Sequence, residues 1–147
     1  MKHMPLLFLM FGLMIVTGCH MDSVTLGLQD GTLRPCPDKP NCVCTQDPSE
    51  RHRVEPIRYA GAQDEALEKL LLIVRHMGQS TLVAAEPNYI HAEFRSSFFE
   101  FVDDVEFLLD DTAKLIHFRS AARTGYYDFN VNRKRMEEIR RRFMGPG

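Results

Sequence analysis

Tyr89-Ile-His-Ala-Glu-Phe-Arg95 decides the fold. Apolar and polar residues alternate through it, and alternate side chains of a strand point to opposite faces of a sheet. One face then carries Ile90, Ala92 and Phe94, the other Tyr89, His91, Glu93 and Arg95. Residues 80–86, 101–109 and 114–121 also read as strands. Pro87-Asn88 and Asp110-Asp111-Thr112 are connections too short for a crossover, so the strands they join are antiparallel neighbours.

Outside these runs the period changes. Ala66, Leu67, Leu70, Leu71, Val74 and Met77 recur at helical spacing, which predicts a helix over 62–77 with Gly78 as its stop and Asp64 and Glu65 suiting its dipole. A second helix is expected over 131–143, with Met136, Ile139 and Phe143 as its apolar stripe and Asn130 as N-cap. Residues 54–59 suggest a short strand that Pro56 confines to an edge or a strand end. The order is strand, helix, four strands, helix. It predicts an α+β domain, with an antiparallel sheet of about five strands and both helices on one face. In layout alone this resembles one repeat of the TATA-binding-protein fold, which says nothing about function.

The strand periodicity also predicts a charged sheet face. Asp104 and Glu106 oppose Val105 and Phe107, while His117 and Arg119 oppose Ile116 and Phe118. With matched registers, His91, Glu93, Arg95, Asp104, Glu106, His117 and Arg119 share the face that the helices leave uncovered.

The N-terminus has different chemistry. Lys2 precedes an apolar run from Leu6 to Val16, and small residues lead to Cys19, the layout of a secretory signal. The run is much shorter than the roughly 20 apolar residues of a spanning helix. Val16-Thr17-Gly18-Cys19 resembles the lipobox of bacterial lipoproteins. The expectation is a signal over 1–18 and a lipid anchor on Cys19, with acyl chains such as palmitate. A secretory signal without lipidation is the alternative. His20 stands where an aspartate would resemble an inner-membrane retention signal, which favours the outer membrane where the cell has one. The site of action is then the cell envelope, facing the periplasm or exterior.

The chain has 147 residues, 44% hydrophobic and 26% charged, which suits one globular domain over 53–147. Residues 19–52, broken by Gly27, Gly31, Pro35, Pro37, Pro40 and Pro48, read as an irregular arm. A net charge of −2 gives no general argument for nucleic acid, and export argues against it. Lipidation of Cys19 leaves Cys36, Cys42 and Cys44, an odd number for an oxidising compartment. The preferred pairing is Cys36 with Cys42, with Cys36–Cys44 as an alternative. A zinc site adding His52 fits less well, because C-x5-C-x-C is not a common zinc spacing. No metal or cofactor is expected.

Several separated stretches together resemble a bacterial and plastid family of unknown function, domain family 1499. They are Cys36-Pro-Asp-Lys-Pro-Asn-Cys42-Val43, His91-Ala-Glu-Phe-Arg-Ser96, Phe101-Val-Asp-Asp-Val-Glu-Phe107, Arg119-Ser120, Arg123-Thr-Gly-Tyr126, Asp128 and Asn132-Arg-Lys-Arg135. The resemblance covers residues 26–143 and implies a lipoprotein-type member. It also implies serine at the position of Cys44, from which this chain departs. It brings no activity, substrate or cofactor.

Candidate chemistry centres on His91, Glu93, Arg95, Asp104, Arg119, Arg123, Asp128, Asn132 and Arg133. Arginines hold carboxylates or phosphates with two hydrogen bonds, so one reading is a cleft for a small anionic ligand, aided by backbone N–H groups near residues 130–133. The competing reading is an ion-pair network that fixes strand register. The chain has no G-x-S-x-G, H-E-x-x-H or glycine-rich phosphate loop. No catalytic residue is therefore assigned, although His91 with Glu93 or Asp104 would serve an enzyme. A binding or scaffolding module, engaging an envelope protein or a small anion, is the leading expectation. The basic run from Arg133 to Arg142 reads as a solvated helix face or as a contact for anionic headgroups.

Overall fold

The computed structural model describes residues 25–96 and 101–145, so the predicted signal and Cys19 lie outside the described residues. The elements in chain order are β1 (Leu28–Gln29), β2 (Thr32–Leu33), β3 (Cys42–Cys44), β4 (Ile57–Arg58), α1 (Gln63–His76), β5 (Ser80–Ala85), β6 (Tyr89–Arg95), β7 (Val102–Asp110), β8 (Leu115–Ala122) and α2 (Val131–Met144). The architecture is α+β. Strands β5, β6, β7 and β8 pair antiparallel in sequence order. Both β3 and β4 pair along the outer edge of β8, at different heights. The sheet is thus five strands wide although six strands compose it.

Both helices pack on the predicted apolar face. Leu70 and Val74 of α1 and Met136, Ile139 and Phe143 of α2 join Ile90, Phe94, Val105, Phe107, Ile116 and Phe118 in one core. Spacing of three and four puts each helix's apolar residues on one stripe, which buries only against an apolar layer.

The segment read as an irregular arm is more ordered than its punctuation suggested. It supplies β3 to the main sheet and folds β1 and β2 into a hairpin through Asp30 and Gly31, both at positive φ (51° and 77°). Two-residue hairpin loops favour this dipeptide because their twist demands positive φ at both positions. Strands of two or three residues are too short to display a period. Leu33 packs with Cys44 and Leu108, so the arm lies over the polar face of the sheet.

At the start of α2, Asn130 occupies the N-cap position but its side chain caps nothing. The Asp128 carboxylate accepts from the backbone N–H groups of Asn130 and Asn132 instead.

Candidate functional site

The register places the predicted charged residues in rungs across the sheet. His91, Glu106, Arg119 and Cys44 form one rung; Glu93, Asp104, Ala121 and Cys42 form the next. Arg119 is buried and donates from Nη1 to Glu106 Oε2 at 3.0 Å. The other Glu106 oxygen accepts from Tyr89 Oη at 2.7 Å and from the Gly27 backbone N–H at 2.6 Å. Glu106 is fully buried, and three donors offset the cost of removing its charge from water. Burial and the Glu106 bond push the Tyr89 hydroxyl well above the usual tyrosine range, so it stays a donor.

Asp104 anchors the second group. It accepts from His91 Nε2 at 2.7 Å and from Nε and Nη2 of Arg123, both at 2.7 Å. Burial opposes its ionisation, but the Arg123 and His91 hydrogen bonds outweigh it and hold the carboxyl below the usual range. Arg123 also reaches Glu93, which holds Arg95 at 3.0 Å. His91 is therefore paired with Asp104 rather than Glu93.

Three predicted site residues stand elsewhere. Asn132 lies on the helix side, where it bonds Ser120, Asp128 and the Asn41 carbonyl. Asp128 is committed to capping α2, so the backbone N–H groups of Asn130 and Asn132 are already engaged. Arg133 reaches the Arg51 carbonyl at 3.4 Å, away from the charged rungs. The chain leaves the sheet after Ala122 and crosses to the helix layer, which separates these residues from Arg123. His117, one rung further along, meets Thr45 at 3.2 Å, and burial lowers its pKa.

Between the arm and the sheet lies a cleft of about 410 Å³. Arg34, Lys39, Asn41, Arg119 and Arg123 line it, and among the described residues no carboxylate does. The acids stand behind the arginines. Among the described residues, Arg119 Nε and Asn41 Oδ1 are buried without a hydrogen-bond partner. Sequence reasoning missed Arg34, Lys39 and Asn41, because no periodicity relates a loop to the face it covers.

The family described as Protein of unknown function (DUF1499) matches residues 32–143. The chain belongs to this family. The DUF1499 span contains the disulfide loop, all five of the cleft residues named above and both acidic anchors, but not Gly27. No curated protein and no solved structure matches the chain.

Cys36 and Cys42 form a disulfide, closing the loop that carries Lys39 and Asn41. This answers the three-thiol metal reading, since two sulfurs are consumed. His52 Nδ1 engages the Cys42 carbonyl at 3.0 Å. Cys44 is a buried free thiol whose pKa burial raises to about 11, which favours the thiol over the thiolate at neutral pH. Among the described residues no group of three His, Cys, Asp or Glu side chains is placed to hold a metal ion. None of their helices is long and apolar enough to cross a membrane.

Proposed function

We propose that this DUF1499 protein is a lipid-anchored, non-catalytic binding module of the cell envelope, tethered through Cys19, whose cleft takes a small oxyanion. The observation that carries this reading is a pair of buried atoms beside the cleft that have no partner among the described residues. Arg119 Nε is a buried donor and Asn41 Oδ1 a buried acceptor, each on a residue lining the same space. Buried polar groups without partners are uncommon in native proteins, and an unfilled binding position is one physical reason for them. A ligand satisfies both atoms if it accepts through an anionic oxygen and donates through a hydroxyl or protonated oxygen. Hydrogen phosphate and hydroxycarboxylates have that pattern. Arg34 and Arg123 add guanidinium groups suited to such oxygens.

Titration of the lipidated protein in detergent with inorganic phosphate and with malate tests the reading. Saturable binding is expected, weakened about tenfold by Arg34→Ala, the loss of one charge-assisted hydrogen bond. Absence of saturation with either probe counts against the oxyanion cleft. Intact mass of the membrane-extracted protein tests the anchor separately: Cys19→Ser is expected to lack the acyl mass and to leave the membrane.

One observation favours a second reading, an envelope enzyme. The His91–Asp104 pair has the arrangement of a carboxylate orienting an imidazole base. Hydrolytic turnover lost in His91→Ala and retained in Arg34→Ala would support it over the binding module.

A further inference from the structure

The segment between β8 and α2 has a surface unlike the rest. Tyr126, Tyr127 and Phe129 are 65%, 52% and 75% exposed, although aromatic side chains gain most from burial. Phe129 sits at φ 55°, a conformation that bulky residues seldom adopt, and Asn130 follows at φ 61°. This backbone is maintained at a cost while the rings it carries stay in solvent. The first turn of α2 then presents Arg133 and Lys134, while the nearby acid, Asp128, is engaged by the backbone N–H groups of Asn130 and Asn132. Exposed rings on a strained backbone and two basic side chains thus meet in one place and make the surface aromatic and basic.

The chain's path suggests what covers it. Thr25, the first described residue, lines the same cleft as Gly125, the neighbour of Tyr126. Five residues separate Cys19 from Thr25, so an extended chain spans at most about 20 Å between them. An acyl chain on Cys19 would hold this end of the domain near the lipid that it enters. Aromatic side chains favour the membrane–water interface, and basic residues favour anionic headgroups.

We infer that the Tyr126–Lys134 surface faces the bilayer, seating Tyr127 and Phe129 in the interfacial layer of an anionic membrane. This rests on the proposed lipid anchor. It fixes the orientation of the domain, with the oxyanion cleft opening beside the lipid surface.

The sequence contains no tryptophan, so Phe129→Trp supplies a single reporter. Leu72→Trp, on an exposed position of α1, is the control. Each full-length lipidated variant is reconstituted into phosphatidylcholine–phosphatidylglycerol vesicles with brominated acyl chains. The expected result is about twofold quenching and a blue shift for Phe129→Trp, with Leu72→Trp unchanged. Equal, unquenched emission from both variants in protein that floats with the vesicles overturns the inference and leaves the anchor standing. Failure of both to float removes the anchor and the inference together.

Discussion

The two faces of the central sheet are buried to the same depth by opposite chemistry. Under the helices, Ile90, Phe107 and Ile116 are 0% exposed; under the arm, Glu106 is 0% and Asp104 1% exposed. The apolar face gains from every carbon removed from water and tolerates small changes in volume. The polar face holds together only while every charge keeps its partner, because a stranded buried charge costs far more than an imperfect van der Waals contact. The first face supports the fold. The second makes the fold conditional on the arm, which supplies the Gly27 N–H and covers the rungs.

The largest expected effect tests that contrast. Glu106→Gln keeps an acceptor for Tyr89 and Gly27 but leaves the Arg119 charge buried without its counter-ion. It should cost about 3–5 kcal/mol in urea unfolding. Ile116→Val, on the same sheet and equally buried, should cost about 0.5–1.5 kcal/mol. Equal losses would break the distinction between the faces.

Removing the disulfide sharpens the contrast. Cys36→Ala with Cys42→Ala frees a short loop, and its prolines already restrict the unfolded chain, so the loss should be at most about 2 kcal/mol. The effect should concentrate on the polar side: hydrogen exchange at Cys44 and Thr45 should quicken while Leu70 and Ile139 stay protected. Uniform loss of protection would mean that the arm and the helix layer unfold as one unit.

Asp128→Ala should cost about 1 kcal/mol, the usual worth of an N-terminal cap, because it releases the N–H groups of Asn130 and Asn132. Asn130→Gly should cost less, since glycine keeps the left-handed backbone at φ 61° and the Asn130 side chain caps nothing. The reverse order, read from thermal midpoints, would return the cap to Asn130.

That last pair marks where sequence reading stopped. The 89–95 strand was legible to the residue, and its alternation assigned both faces, because a period of two survives over seven positions. Strands β1 to β4 were too short for any period, although Asp30-Gly31 is a hairpin signal that was there to be read. The cap was missed because a left-handed Phe129 moves the capping role two residues upstream, and no propensity predicts phenylalanine there. Arg135, read as part of a solvated basic face, instead reaches Asp103 at 2.6 Å and covers the Phe94 ring. The charged rungs were foreseeable as a row of residues. The cleft above them was not, because it depends on how residues 25–41 lie across the sheet.

The smallest expected effect comes from the rim of the polar face. Burial lowers the His117 pKa from its ordinary value, so the folded state binds this proton less readily than the unfolded chain does. Its contribution is fully present above the unfolded value of about 6.5 and is lost as pH falls through the lower folded value. Asp104 follows the same rule in a separate window: its contribution is present above the unfolded value of about 4 and is lost as pH falls through the lowered folded value. Urea midpoints taken from pH 7.5 to pH 5 should therefore fall for the native protein and fall less for His117→Gln. Arg123→Lys loses the two-pronged contact with Asp104 and should change the profile only when the series is extended below about pH 4. If His117→Gln leaves the neutral-to-pH-5 slope intact, the ring is not held neutral by its surroundings.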